Sequence, residues 1–192
     1  MIRLIAEAWV SIGASWRMLT FQKGWETGYD VSIGGFWRSF LGIVAAAPLI
    51  GFMHVFRAAE GSPLGWFEEY FLQGLAWIIF PVAAGLACLV TGARRTFVRW
   101  VVVHNWAVFW LYFYLFLVWM LYTAGLIPAA GAGIALFVYT YVRVLAHWRI
   151  AYVSLGLPTI TAALAAAVPI LAIDVAIAVY LASGAIPEAS GG

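Results

Sequence analysis

Five stretches of about 20 apolar residues constrain the fold of this chain more than any other feature. They cover residues 39–57, 70–92, 101–124, 126–146 and 158–184. A helix of that length crosses the hydrocarbon core of a bilayer, and its backbone satisfies its own hydrogen bonds there. The sequence therefore predicts an all-α polytopic membrane protein, a single membrane domain with five transmembrane helices.

Composition supports this class and excludes others. Charged residues make up 9% of the chain, against about 25% in soluble domains, and no basic run indicates nucleic-acid binding. Cys88 is the single cysteine, so no intramolecular disulfide can form. Phosphate-binding loops, zinc-protease motifs and nucleophile elbows are absent from the sequence, so we predict no catalytic residue and no metal, and the sequence favours a protein that is not an enzyme.

Residues 2–21 precede the first span and carry an apolar stripe with helical spacing. The stripe consists of Ile2, Ile5, Trp9, Ile12, Trp16 and Leu19. Arg3 and Glu7 lie four residues apart on another face and are expected to pair. The pattern predicts an amphipathic helix in the membrane interface, anchored by Trp9 and Trp16. The alternative is a helix packed on the protein's own loops.

Charge predicts the orientation of the spans. Nine of the ten Lys and Arg residues fall on the side that holds the N-terminal segment, and only Arg57 falls on the other. The positive-inside rule then places the N-terminus in the cytoplasm and the C-terminus outside. Trp37, Trp100 and Trp148 fall at predicted inner boundaries and Trp66 at an outer one, as in an aromatic belt.

Asp174 lies within the apolar run VPILAIDVAIAVYLA of the fifth span. A carboxylate there is costly, and intramembrane carboxylates commonly serve a function. Distances along the first and fifth spans place Asp174 and His54 at a similar depth, with Arg57 one turn further out. We therefore expect these spans to pack together and Asp174 to pair with His54 or Arg57, either in an ion or proton role or as a packing hydrogen bond.

Three spans contain a proline near the predicted bilayer midplane: Pro48, Pro81 and Pro169. Each removes a helix hydrogen bond and frees a carbonyl group. The prolines predict helix kinks that neighbouring helices satisfy. The alternative is a set of broken helices that marks the binding site of a transporter.

His104 and His147 share the inner end of the predicted bundle and could approach each other. His147 stands between Arg143 and Arg149, which indicates a headgroup-facing loop, so a haem or pigment on these histidines is not expected. We predict no cofactor, although lipids are expected to bind. The third span is rich in aromatic residues around its whole circumference, which favours packing over a pigment or quinone surface.

The segment GYDVSIGGFWRSFLGIVAAAPL, residues 28–49, resembles small alphaproteobacterial membrane proteins with a G-F-W-R-S-F entry into the first span. The five-span plan with opposite termini resembles the Yip1-like group. These resemblances imply a bacterial inner-membrane protein with a role in trafficking, assembly or a larger complex. They carry no catalytic residue over to this chain.

Two functions follow from the sequence. The first is a non-enzymatic accessory or scaffold subunit that binds lipids and other membrane subunits or itself. The second is a small oligomeric transporter, or an ion- or proton-conducting subunit, that uses Asp174 and the proline-containing helices.

Overall fold

The computed structural model describes residues 2–61 and 64–183, and within these ranges the regular structure is entirely helical. Five helical segments are long and apolar enough to cross a membrane, which confirms the predicted fold class. The helices are α1 (Ile2–Leu19), α2 (Ile33–Ser39), α3 (Leu41–Ala59), α4 (Trp66–Thr91), α5 (Phe97–Thr123), α6 (Ala129–Leu155) and α7 (Thr159–Ala182).

The first four spans are longer than the sequence predicts, and the first and the fourth show why. The first begins at Ile33 and not at residue 39, because Ser32 caps α2 by accepting a hydrogen bond from the Gly35 amide at 3.1 Å. The fourth continues to Leu155. Gly156, with a φ of 66°, caps its C-terminus. The predicted end of the fifth span, residue 184, lies outside the described residues.

Helix α5 is the central element of the fold. It packs on α1, α2, α3, α4 and α6, and every residue from position 100 to 108 is buried. The later half of α5, which carries most of its aromatic side chains, is only partly buried, and Leu117, Met120 and Leu121 are exposed. Trp100, predicted to lie in an interfacial belt, is 1% exposed and packs on Phe80 in the core, so that prediction is wrong.

Helices α4, α5, α6 and α7 form a closed ring: α4 packs on α7, α7 on α6, α6 on α5 and α5 on α4. Helix α3 lies outside this ring, against α5 and α4. A Cβ atom on Gly42 of α3 would lie 2.4 Å from the Asn105 carbonyl oxygen, so glycine permits this close approach. In the described chain α3 and α7 do not form the packed pair that the sequence predicts.

Helix α1 packs on α5 and on the turn at Glu26–Gly28, and its buried residues include the small or flexible Ser11, Ala14, Ser15 and Met18. Trp110 fixes the contact by donating a hydrogen bond from Nε1 to the Ile12 carbonyl at 2.9 Å. The opposite face is exposed. Helix α1 is therefore docked on the bundle and on the loop that follows it, whereas the sequence offered packing on the protein's own loops only as the alternative.

The side chains predicted as interfacial anchors, Trp9 and Trp16, are 71% and 48% exposed. They are free to contact lipid, and their position in the interface stays a prediction. Glu7 pairs with Arg38 of α2 at 2.8 Å. The predicted pair of Glu7 with Arg3 is therefore wrong. The link ties the start of α1 to the start of the first span.

Candidate functional site

A cavity of about 190 Å³ lies inside the ring formed by α4, α5, α6 and α7. Its apolar wall includes Leu111 of α5 and Ile173 of α7. All four helices also supply polar side chains: Gln73 from α4, His104 and Tyr112 from α5, Tyr139, Arg143 and His147 from α6, and Asp174 from α7. Polar groups that are far apart in the sequence thus meet inside an otherwise apolar bundle.

The Arg143 guanidinium and the Asp174 carboxylate form an ion pair between α6 and α7, with Nη2 and Oδ2 2.5 Å apart. Arg143 stands near the middle of α6, about 20 Å from either end at 1.5 Å per residue. The predicted pairing of Asp174 with His54 or Arg57 is wrong, because α7 packs on α4 and α6.

Sequence reasoning missed Arg143 because its positive charge was placed at the inner end of the fourth span, next to a loop expected to face the headgroups. The helix continues past it, since buried Ala146, Ile150 and Ala151 repeat at helical spacing and pack on the core. That periodicity was the available signal. It extends the fourth span by about two turns and brings Arg143 to the level of Asp174.

His104 and His147 lie side by side at the cavity wall, with ring centroids 5.3 Å apart, and both are buried. The prediction of a headgroup-facing His147 is therefore wrong. His147 Nδ1 lies 2.8 Å from the Arg143 carbonyl oxygen, so Nδ1 is the donor and Nε2 is left as an acceptor in the neutral ring. His104 stacks on Phe80, with centroids 3.2 Å apart.

Buried polar contacts continue from His104 toward the N-terminal end of α3. The His104 ring nitrogen Nδ1 lies 3.4 Å from Asn105 Oδ1. Asn105 donates from Nδ2 to Ser39 Oγ at 2.9 Å, and Ser39 donates to the Phe36 carbonyl at 2.7 Å. Side chains with hydrogen-bonding capacity therefore line the core from the cavity to the start of the first span.

On the opposite side of the cavity, Tyr112 donates a hydrogen bond to Gln73 Oε1 at 2.5 Å. This contact joins α5 to α4, the least extensively packed pair in the ring. The Tyr112 hydroxyl and the Gln73 amide thus lie between the Arg143–Asp174 pair and the end of the bundle where α4 begins.

A second polar cluster, which we call the α3–α4 cluster, consists of His54, Arg57 and Glu69. Glu69 is 3% exposed and forms an ion pair with Arg57 through Oε1. Its Oε2 has no hydrogen-bond partner among the described residues and lies 4.0 Å from His54 Nδ1. An unsatisfied buried carboxylate oxygen is costly, so a water molecule is its natural partner.

The α3–α4 cluster and the cavity are connected along one face of α4. Glu69, Gln73 and Trp77 are spaced four residues apart, which places them one above another on the helix. Pro81 continues the series, and it leaves the Trp77 carbonyl without its helical hydrogen bond. The cavity therefore borders a chain of polar side chains and a freed backbone acceptor.

Pro48 and Pro169 lie within α3 and α7, and these described helices continue through both prolines. Pro169 is buried, one turn before Ile173 at the cavity wall. Helix α4 also continues through Pro81. The described spans thus contain no broken helix at these positions.

Within residues 2–61 and 64–183, no group of three or more His, Cys, Asp or Glu side chains is arranged to hold a metal ion. Comparison with protein-family models, curated proteins and solved structures found no match to the chain. The functional argument therefore depends on the geometry of the cavity and its polar neighbours.

Proposed function

We propose that this integral membrane protein transfers protons through its helical bundle by way of the central cavity. The observation that carries the proposal is the Arg143–Asp174 ion pair beside two buried histidines, in the middle of the spans. Charged groups at this depth are costly and mark ion or proton pathways. Histidine is the side chain best suited to exchange protons near neutral pH.

Polar residues offer a route on both sides of the cavity. From the α3–α4 cluster the route follows Glu69, Gln73 and Tyr112 into the cavity. From there it follows His147 and His104 to Asn105 and Ser39. The gaps between these groups are bridged by water, since a cavity of about 190 Å³ with polar walls holds several water molecules.

The size of the cavity favours protons over larger solutes. Sites for small molecules usually occupy about 300–1,000 Å³. The cavity of about 190 Å³ is smaller than that range. Water and protons fit it without any movement of the helices.

Purified protein in liposomes with an imposed pH gradient and an enclosed pH-sensitive dye tests the proposal. We expect wild-type protein to dissipate the gradient faster than protein-free vesicles. Replacing His147→Gln or Tyr112→Phe should reduce the rate to that of protein-free vesicles, because each removes one proton-carrying group. Tyr141→Phe is the matched control, since Tyr141 is 63% exposed and lies outside the cavity. Wild-type protein without flux, or a His147→Gln variant with full flux, contradicts the proposal.

The second candidate function is an accessory or scaffold subunit of a larger membrane complex. Its support is helix α6, the least buried of the five spans, whose outer half exposes Ile134, Phe137 and Tyr141. Purification in mild detergent followed by mass spectrometry tests it. A partner in fixed stoichiometry that is lost on Phe137→Glu supports this function, and recovery of the chain alone contradicts it.

A further inference from the structure

An apolar groove of about 360 Å³ lies on the other side of α5, between α5 and α6 and next to the C-terminal end of α1. Aromatic and aliphatic residues line it, among them Trp110, Leu117 and Val142. Arg149 is the charged residue at its rim. We propose that this groove binds one phospholipid, with an acyl chain along α5 and α6 and the phosphate on Arg149.

The dimensions of the groove suit one lipid tail. On α6 it extends from Val142 to Arg149, and on the antiparallel α5 from Leu117 to Trp110. Each stretch is about 10 Å long at 1.5 Å per residue. This is about two thirds of one leaflet of a hydrocarbon core about 30 Å thick.

The charge at the groove suits a phosphate. Arg149 donates from Nε to the Met18 carbonyl at 3.3 Å, and no carboxylate in the described residues pairs with it. Its terminal nitrogens make no hydrogen bond to the described chain, so they are available. Guanidinium groups bind phosphate oxygens through paired, charge-assisted hydrogen bonds.

Phe21 lies just after the end of α1 and covers one side of Arg149. Phe21 has φ of 61°, a left-handed conformation that bulky residues rarely adopt. The conformation brings its ring to 4.5 Å from the Arg149 guanidinium carbon. The Phe21 and Gln22 amides donate to the Met18 and Arg17 carbonyls at 3.2 and 2.8 Å, so this left-handed residue ends α1 as a C-cap. Phe21 thus holds the arginine from one side and leaves its terminal nitrogens for the ligand.

Native mass spectrometry of the purified full-length chain, titrated with phosphatidylglycerol, tests the proposal. We expect one lipid to be retained at energies that strip the others. Diacylglycerol with the same acyl chains tests whether the phosphate is needed for binding. Glycerol phosphate, which has no acyl chains, tests whether contact with the apolar groove is needed. Neither should be retained.

Variants separate this site from general attraction to lipid. Arg149→Gln should lower retention about tenfold, as expected for loss of a hydrogen bond to a charged group. Arg149→Lys should restore part of it, and Val142→Phe should abolish it by filling the groove. The controls are Arg95→Gln, an exposed arginine outside the groove, and Val175→Phe on α7.

Three results overturn the proposal: no retained lipid on the wild type, equal retention of diacylglycerol, or equal losses in Arg149→Gln and Arg95→Gln. If Arg149→Gln does not fold, Arg149→Lys and Val142→Phe decide the question. Retention that is unchanged in a folded Val142→Phe variant contradicts the groove as the binding site.

Discussion

At the scale of single residues, Asp174 is stabilised by the guanidinium of Arg143. The side chains of this pair are 29% exposed for Arg143 and 44% for Asp174, so neither is fully desolvated. A pair of this kind lies between exposed pairs, which contribute about 0–1 kcal/mol, and buried pairs, whose disruption costs about 3–5 kcal/mol. We place the cost of removing one partner at about 2 kcal/mol.

The ion pair predicts a double-mutant result. Asp174→Leu leaves the Arg143 guanidinium uncompensated inside the bundle and should lower the free energy of unfolding by about 2 kcal/mol. Adding Arg143→Leu should recover most of that loss, because no unpaired charge remains. Denaturation in detergent measures both. Glu68→Leu is the control, since Glu68 makes no ion pair with the described residues, and additive losses in the double variant contradict the pairing.

Asp174 also shows what sequence can establish about a site. Its position in an apolar run identified it as a residue that needs a partner, and this part of the reasoning is independent of the fold. The partner could not be identified, because depth along a helix does not say which helices are neighbours. His54 has a similar predicted depth but belongs to α3, whereas α7 packs on α4 and α6.

At the scale of elements, the attachment of α1 depends on close packing with the loop that follows it. A Cβ atom on Gly28 would lie 2.3 Å from the Ala14 Cβ. Ser11 donates to the Gly28 carbonyl at 2.9 Å, and Ser15 hydrogen-bonds the Tyr29 hydroxyl at 3.0 Å. The helix is thus held by small contacts that a single methyl group can disturb.

Gly28→Ala should therefore loosen α1. Overpacking of this kind costs about 1–3 kcal/mol, which increases the population of the undocked helix. The measurement is the rate of trypsin cleavage after exposed Lys23, which we expect to rise at least about fivefold. Gly13→Ala is the matched control, because its Cβ meets nothing within 4 Å. Equal cleavage rates in the two variants contradict the docking.

The start of the first span predicts a pH dependence. Hydrogen bonds from Ser32, followed by the nearby Arg38 charge, hold the pKa of Asp30 below its usual value. A carboxyl group with a lowered pKa stabilises the fold above its unfolded pKa of about 3.9 and loses that contribution as pH falls through the folded value. Wild-type protein should be more stable than Asp30→Asn at pH 7, and the difference should shrink below about pH 4. A difference that does not change between pH 7 and pH 3 in urea unfolding followed by tryptophan fluorescence contradicts this.

The lengths of the apolar stretches predicted that the spans exist. They did not predict where each span begins and ends. Helix α6 was shortened in the prediction because His147 and Arg149, together with Arg143 at the end of the span, suggested a loop. In the fold these residues contact side-chain and backbone partners, so the helix continues through them. Charge distribution along a span was therefore a poor guide to where it ends.

At the scale of the whole molecule, five candidate spans predict that the two ends of the chain lie on opposite sides of the bilayer. The excess of Lys and Arg predicts which side is the cytoplasm. A reporter that is active only in the cytoplasm should be silent when fused after Gly192 and active when fused before Met1. Signal from the C-terminal fusion contradicts the topology, and a silent N-terminal fusion contradicts the orientation.

Access of water to the cavity tests the proposed proton transfer most directly. Solid-state NMR of protein with ¹⁵N-labelled histidine in bilayers reports how fast the ring N–H protons of His104 and His147 exchange with water. The His104→Gln and His147→Gln variants assign the two signals. Proton transfer predicts exchange of both rings with D₂O within minutes, in spite of their burial. Rings that keep their protons for hours, as in a dry core, contradict the account.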